Sequence, residues 1–328
     1  MEQRSKTNQI VKTSLALLTT FVISGCYSSQ PSVAKSYPVW YTKVQQDSFS
    51  YYYGVADGIN KTDAINNALN QIASKISVTI ESNFESSRYV DNENLNEFSK
   101  SEIKNKVAKI NFNNYTILKE QKVGNSYVVS LKVNRLTLAK NMEEKIENSL
   151  SNISSKLDAN YKNIVQKLRN YSDAKQKLKE LEKDVFLASS ISSSVDLKEY
   201  LDTIHKLNKK ILKFKNSISF KIDGDSNYKN VLSELINEKG YKVKNYNSNL
   251  YLKISVKKTH ITAVGYKIAR GVINIKVIDK NNNSIVGQKR LVVGGKSLSG
   301  FKQADEFMLK TFKQKLLKEK ILSNLLGV

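Results

Sequence analysis

The sequence has one cysteine, two histidines and two prolines among 328 residues. A single cysteine excludes an internal disulfide, a redox pair and a cysteine-rich zinc site. The histidines, His205 and His260, are too few for a histidine-built metal centre and fall in different predicted units. We therefore predict no metal site, no cofactor and no catalytic residue, since catalysis would depend on carboxylates, lysines or hydroxyls that form no recognisable motif.

Arginine is scarce as well, because only 6 of the 53 basic residues are Arg and 47 are Lys. Arginine is the side chain that binds phosphate and guanine bidentately, so we expect no specific nucleic-acid partner. The net charge is nevertheless +23. Abundant Lys, Asn, Ile and Tyr indicate a coding bias toward adenine and thymine, which favours a generally solvated basic surface. A dedicated polyanion site is the alternative.

The N-terminus contains an apolar run at 14–23, preceded by three basic residues. Ten residues are too short to span a bilayer, so the segment 1–25 is predicted to be a signal peptide. Its end, Val22-Ile23-Ser24-Gly25-Cys26, resembles the lipobox of bacterial lipoproteins. The resemblance implies cleavage after Gly25 and lipidation of Cys26 with diacylglycerol and an N-acyl chain such as palmitate. Two or three acyl chains anchor a protein durably. An ordinary signal followed by a free or buried cysteine is the alternative.

The segment 26–37 is rich in serine, contains Pro31 and has no apolar periodicity. It is predicted to be a lipidated tether that holds a globular body away from the bilayer. Tyr27 follows the predicted lipidation site, whereas an Asp there favours retention in the inner membrane of well-studied bacteria. We therefore expect the outer membrane, with the protein on its periplasmic side.

The first folded unit is predicted at 38–135, where strand and helix patterns alternate. The hairpin prediction near Gly124-Asn125 depends on a turn dipeptide between two alternating strands. The helix at 62–76 shows one apolar stripe at helical spacing. The predicted elements are a strand at 48–55, the helix at 62–76, a strand from Ser77, a helix at 95–110, and strands at 115–123 and 127–133. This order indicates a small α+β sandwich.

Three sequence motifs in this unit resemble the twenty-kilodalton membrane-associated lipoprotein family of Helicobacter and its relatives, the lipoprotein-20 family. The resemblance covers 38–135 and implies an envelope lipoprotein without known catalysis. Some proteins related to that family are similar to components of the flagellar basal disc and the outer-membrane ring. The motifs are Pro38-Val39-Trp40-Tyr41, Tyr52-Tyr53-Gly54-Val55-Ala56-Asp57-Gly58, and the alanine-bearing helix at 64–76 that runs into Ser77-Val78.

Neither Gly nor Pro occurs between 126 and 223, which predicts long helices. Apolar residues from Ala139 to Val185 recur at steps of three and four, in the manner of a coiled coil. A serine cluster and an N-cap-like Asp196 then interrupt the pattern. We predict a helical hairpin at 136–216, with a kink near Ser172-Asp173 that would give three helices. It would be either a spacer or a stalk for oligomerisation and docking.

The unit at 217–328 is predicted to be a second α+β sandwich with an antiparallel sheet. The apolar face of that sheet would be covered by an amphipathic C-terminal helix at 304–325. Gly240 ends the preceding helix as a C-cap. The predicted elements are a strand at 218–222, a helix at 226–239, and strands at 250–256, 272–278 and 285–293.

Two short segments are similar to binding loops but lack essential residues. The segment 294–297 has Arg290 where a phosphate loop needs glycine, so we expect the rim of a hairpin. The segment 279–283 lacks the glycine and the terminal glutamate of a calcium loop, and it is predicted to be a tight turn. His205 and His260 are expected to be surface or interface residues.

The sequence thus predicts an α+β protein with two small sandwich domains joined by a long helical hairpin. We expect a non-catalytic structural or assembly component of the envelope, such as one of the flagellar basal disc or ring, with the membrane and envelope proteins as partners in a homo- or hetero-oligomer. The alternative is a module that binds peptidoglycan or another anionic polymer. A hydrolase without a readable motif is the third class.

Overall fold

The computed structural model describes residues 36–88 and 100–326, which form an α+β fold with two sheets. The predicted signal peptide, most of the tether and the start of the helix predicted at 95–110 lie outside these residues. The first part of the fold contains α1 (Val39–Thr42), β1 (Tyr51–Gly58), α2 (Lys61–Arg88), α3 (Lys100–Val107), β2 (Tyr115–Val123) and β3 (Ser126–Asn134).

The first sheet is antiparallel, with the order β1-β3-β2. The hairpin predicted at Gly124-Asn125 is confirmed, and Gly124 has a φ of 60° there. The strand predicted from Ser77 is wrong, because α2 continues through it. Ile72, Ile76 and Ile80 repeat at i, i+4 and are fully buried, whereas Val78 is 68% exposed. The apolar stripe therefore keeps its helical period beyond residue 77.

Three helices follow the first sheet: α4 (Arg135–Asp158), α5 (Ile164–Ile191) and α6 (Leu197–Ser217). The break between the first two lies at 159–163, so the kink predicted at Ser172-Asp173 is wrong and α5 runs through that site. Asn163 starts α5, because its side chain accepts a hydrogen bond from the amide of Gln166. Asp196 caps α6 in the same way through the amide of Glu199.

One hydrophobic cluster contains buried residues from both the first sheet and the three helices. It includes Ile72 and Leu131 beside Leu178 and Ile204. Helices α4, α5 and α6 therefore pack in the same core as the first sheet within the described residues. The coiled-coil interpretation of their seam and the domain limits at 135 and 216 stay predictions.

The last part of the fold has a sheet with the order β5-β4-β6-β7-β8. Strand β4 pairs in parallel with β5 and β6, so the fully antiparallel sheet predicted here is wrong, while β6, β7 and β8 are antiparallel. The elements are β4 (Ser219–Asp223), α7 (Ser226–Glu238), β5 (Lys242–Val243), β6 (Leu250–Ala263), β7 (Tyr266–Asp279), β8 (Ser284–Ser297), α8 (Phe301–Lys318) and α9 (Ile321–Leu326).

Strands β6, β7 and β8 are each 14 residues long, far longer than their predicted apolar segments. Helices α8 and α9 cover the inner face, where a second hydrophobic cluster includes Phe220, Ile275 and Phe312. The single C-terminal helix expected at 304–325 is in fact two, because Lys320 has a left-handed φ of 46°.

Strand β8 is the edge of this sheet, and side chains of α8 bind its free carbonyls. The Lys315 ammonium donates to the Val292 carbonyl at 2.9 Å, and the Thr311 hydroxyl donates to the Gly294 carbonyl at 3.0 Å. Gly295 permits this contact, since a Cβ there would lie 2.1 Å from the Ala304 carbonyl oxygen. The segment 294–297 is thus part of an edge strand, and the hairpin rim expected there is wrong.

Candidate functional site

The predicted lipidation site Cys26 and the cleavage position Gly25 lie outside the residues that the structure describes. Their roles stay predictions. In the part of the chain from 36 to 326 that is described, no helix combines the length and the apolar character needed to cross a membrane.

The motifs that give the first unit its family resemblance hold three elements together. The Tyr41 hydroxyl of α1 donates to the Asp57 carboxylate of β1 at 3.0 Å. Burial, followed by the hydrogen bond to Asp57, raises the pKa of Tyr41. Gly54 lies so close to α2 that a Cβ would stand 2.4 Å from the Ala68 carbonyl oxygen. Gly54 and Tyr41 therefore have structural roles, since they hold α2 and α1 against β1.

Among residues 36–88 and 100–326, no group of three His, Cys, Asp or Glu side chains is placed to hold a metal ion. The two histidines lie apart, as expected. His205 is exposed on α6, and His260 pairs with Asp305 of α8 at 2.9 Å beside the Phe301 ring. Both are surface positions, as the sequence predicted.

Asp279 is buried, being 1% exposed, and joins α5 to the second sheet. One carboxylate oxygen accepts from the Asn281 amide and the other from the Ile164 amide, both at 2.9 Å. A carboxylate is favourable at the start of a helix such as α5. The segment 279–283 is the turn between β7 and β8, as predicted, and its acidic residue has a structural role.

A second buried charge joins α3 to α5. The Lys183 ammonium, with a 5% exposed side chain, lies 2.9 Å from Glu180 and 3.2 Å from Glu102. The hydrogen bond from Lys183 is the main cause that lowers the pKa of Glu180. A buried cation needs such partners, so this group is explained by the fold.

The outer face of β6, β7 and β8 is a strongly basic surface. Side chains alternate between the two faces of a strand, so every second residue of each strand points outward. Cross-strand pairing aligns these outward residues in rows across the three strands. The rows contain Lys253-Lys276-Gln288, Ser255-Asn274-Arg290, Lys257-Val272-Val292, Thr259-Arg270-Gly294 and Ile261-Ile268-Lys296. Six basic residues of β6, β7 and β8 therefore share this face, and Asp223 of β4 continues the first row beside Lys253.

None of these six cations forms an ion pair with another described residue. Lys253 lies directly opposite Lys276 in the antiparallel ladder. Like charges at such positions are destabilising. Even with Asp223 beside Lys253, the face carries a net positive charge, and it can attract an anionic partner.

The basic face continues into an open groove of about 590 Å³ beside the edge strand β8. Arg270, Lys296 and Lys310 contribute cations, and Phe307, which is 44% exposed, contributes an apolar wall. The sequence prediction missed this surface because it ended the strands before the hairpin tip. One signal was available: Asp279 is the only acidic residue among 250–302, where eleven residues are basic.

A comparison with protein families bears on the first unit. Residues 38–133 match the model of the LPP20 lipoprotein family. The match confirms the resemblance of this segment to lipoprotein-20 proteins. No curated protein sequence matches the chain.

The solved structures to which the chain is similar are distant in sequence, and their TM-scores lie below 0.5. The secreted protein HP1454 of Helicobacter pylori is 15% identical, with 83% of this chain and 98% of that chain covered and a TM-score of 0.45. A minor lipoprotein of Acinetobacter baumannii is 12% identical over 33% of this chain and 90% of that chain, with a TM-score of 0.27. The PelC dodecamer of Paraburkholderia phytofirmans is 13% identical over 31% and 87%, with a TM-score of 0.24.

Proposed function

We propose that this protein is a lipoprotein anchored by acyl chains on Cys26 to the periplasmic side of the outer membrane, where it acts through protein contacts and without catalysis. The match of residues 38–133 to the LPP20 lipoprotein family carries this proposal. The lipobox-like residues that end at Cys26 precede that segment by eleven residues. Two or three acyl chains would anchor the protein durably.

Acylation is tested by intact-mass measurement of the protein purified in detergent from envelopes. We expect cleavage after Gly25 and a mass increase that corresponds to diacylglycerol plus one acyl chain. Cys26→Ser removes the only thiol, so it should abolish both palmitate labelling and cleavage by the lipoprotein peptidase. An unmodified Cys26 in the wild-type protein would refute the anchor.

The outer-membrane location is tested by density fractionation of the envelope. The wild-type protein should co-migrate with outer-membrane markers. Tyr27→Asp should move a measurable share to the inner membrane, because an acidic residue there favours retention. Tyr27→Ser is the matched control and should leave the distribution unchanged. Wild-type protein in the inner-membrane fraction would contradict the location.

The proposed role is that of an assembly component of an envelope structure such as the flagellar basal disc or ring, in a homo- or hetero-oligomer. Helices α4, α5 and α6 would supply the docking surface. Deletion of the gene should impair swimming and remove part of the basal structure in electron cryotomograms. Normal swimming with intact basal structures would exclude the flagellar role, and complementation controls for effects on neighbouring genes.

The outer face of β6, β7 and β8 favours a second candidate function, the binding of peptidoglycan or another anionic polymer. Removal of three charges by Lys253→Gln, Lys276→Gln and Arg290→Gln should weaken co-sedimentation with purified sacculi. The control replaces three exposed lysines of α6 by Gln, namely Lys206, Lys209 and Lys213. Binding that is equal at low and high salt, or equally weakened by both variants, would exclude a specific role of this face.

A further inference from the structure

The hairpin between β6 and β7 extends beyond the core of the second sheet. Every residue of β6 after Val256 is exposed, up to the turn at Val264-Gly265. The end of β8 lies beside the same tip, because Ser297 pairs with Lys267. The tip is therefore a projecting surface built by the ends of three strands.

The tip presents large apolar side chains to solvent. Val264 is 95% exposed and Leu298 is 70% exposed, while Ile261 and Tyr266 are each 37% exposed. We call these four residues the apolar tip. Single exposed apolar residues are ordinary on protein surfaces, but a group of them on one projection indicates contact with an apolar partner.

Val264 is unfavourable for the turn that it occupies. Its φ is 49° and that of Gly265 is 76°, so both central residues of the two-residue turn are left-handed. Such hairpin turns favour Asn-Gly, because a β-branched residue is sterically strained at positive φ. An asparagine would thus suit both the backbone and the solvent better than the valine found there.

Cations surround the apolar tip. Lys296 lies over the Tyr266 ring at 5.4 Å, and Lys267 lies over the Phe301 ring at 5.4 Å. Arg270 follows on the outer face, beside the groove that Lys310 also lines. The only acidic residue within 250–302, Asp279, is buried at the opposite end of the strands, and Asp305 of α8, which approaches the hairpin, is paired with His260. The tip therefore combines an apolar end with a basic surround.

We propose that the apolar tip enters the headgroup region of an anionic phospholipid bilayer, with Lys267, Arg270 and Lys296 contacting lipid phosphates. Basic residues near an anionic membrane each contribute to binding, and tyrosine favours the membrane interface. Four side chains are too small an area for a stable protein interface, whereas they suffice for shallow insertion. This contact goes beyond the proposed anchor, because it needs no acyl chain.

The test places a fluorophore at the tip of the full chain. Cys26→Ser removes the native thiol, and Ala263→Cys carries an environment-sensitive NBD group beside an intact Val264. With vesicles of phosphatidylcholine containing about one third phosphatidylglycerol, NBD emission should increase and shift to the blue. Vesicles of phosphatidylcholine alone should give little change. The same label at Leu212→Cys, an exposed site on α6, is the control and should not respond.

Two sets of variants separate insertion from other causes. Val264→Asn suits the turn, so the fold should be kept while partition at the tip falls at least about tenfold, as loss of one buried valine predicts. Arg270→Gln and Lys296→Gln should each lower partition about fivefold. A melting temperature no lower than that of the parent protein establishes that Val264→Asn has not acted by unfolding.

The proposal is overturned if the label at residue 263 is unaffected by anionic vesicles while the protein sediments with them, because the contact then lies elsewhere. It is equally overturned if the label responds to sacculi or to increasing protein concentration and not to vesicles. A response to sacculi would indicate an anionic polymer as the partner, and a response to protein concentration would indicate another copy of the chain. Failure of acylation at Cys26 would leave this test unaffected.

Discussion

The hydroxyl of Tyr41 is bonded to the carboxylate of Asp57 at 3.0 Å, which ties the short helix α1 to the end of β1. Both residues belong to the motifs by which the first unit resembles lipoprotein-20 proteins. Tyr37 stacks on Tyr41, with ring centroids 4.6 Å apart. The motif therefore fixes the point at which the chain leaves the predicted tether and enters the fold.

Tyr41→Phe should lower the free energy of unfolding by about 1 kcal/mol, because it removes a partly buried hydrogen bond and keeps the ring. Circular dichroism during urea unfolding measures the change. Tyr37→Phe is the matched control, since the stacking persists, and it should stay within about 0.5 kcal/mol of the parent protein. Equal effects of the two variants would show that the hydrogen bond to Asp57 contributes nothing specific.

Gly54→Ala should destabilise the protein by about 1–3 kcal/mol, because the added methyl group would overlap the Ala68 carbonyl and force α2 away from β1. Gly294→Ala is the control, since the nearest atom to its Cβ would be the Ala269 carbonyl oxygen at an ordinary 3.6 Å. Thermal unfolding of both variants compares the two sites. A neutral Gly54→Ala would mean that the close approach is not needed.

Asp279→Ala should cost about 2–3 kcal/mol, because it leaves the buried amides of Ile164 and Asn281 without their acceptor. Amide hydrogen exchange should become faster at the start of α5, because the Ile164 amide has lost its contact with Asp279. Asn281→Ala keeps both bonds, since residue 281 donates through its backbone, and it should have little effect. Unchanged exchange at Ile164 in Asp279→Ala would contradict this role.

The raised pKa of the buried Tyr228 predicts that the protein loses stability at alkaline pH. Burial raises its pKa to about 12, and Tyr241 is raised to about 12 for the same reason, whereas an unfolded tyrosine titrates near 10. The folded state then holds more protons between these values, so the free energy of unfolding falls as pH rises from about 10 to about 12. Melting temperatures across this pH range measure the fall.

Tyr228→Phe should reduce that alkaline loss. The Tyr228 hydroxyl is buried and has no hydrogen-bond partner among the described residues, so its removal should also stabilise the protein at neutral pH by up to about 1 kcal/mol. Tyr246→Phe, at an 83% exposed position, should change neither quantity. An alkaline slope that stays the same in Tyr228→Phe would assign the titration to other groups.

The sequence predicted most elements correctly where the apolar residues fitted only one periodicity, either that of a helix or that of a strand. The hairpin at Gly124-Asn125 and the caps at Asp196 and Gly240 depend on local turn and capping chemistry, which short sequences specify. The predicted end of α2 was wrong because the residues from Ser77 onward show the alternating apolar pattern of a strand for a few positions. The burial of Ile80 in the first hydrophobic cluster favours the helix, and burial is a tertiary property.

The position of the helix break was missed for a similar reason. Residues 159–163 contain neither Gly nor Pro, and the start of α5 is fixed there by the Asn163 cap together with Asp279, which lies over a hundred residues away in sequence. The basic face was missed because strands β6 and β7 continue through polar positions without an apolar alternation. Cross-strand pairing alone aligns Lys253 with Lys276, and no local pattern reports it.

The two hydrogen bonds from α8 to the edge of β8 restrict how copies of this molecule can associate. With the Val292 and Gly294 carbonyls occupied, an incoming strand finds those acceptors already taken. Backbone templating of a growing fibril at this border is thereby blocked. Contacts between copies along this border must then depend on side-chain recognition, which single substitutions can remove one contact at a time.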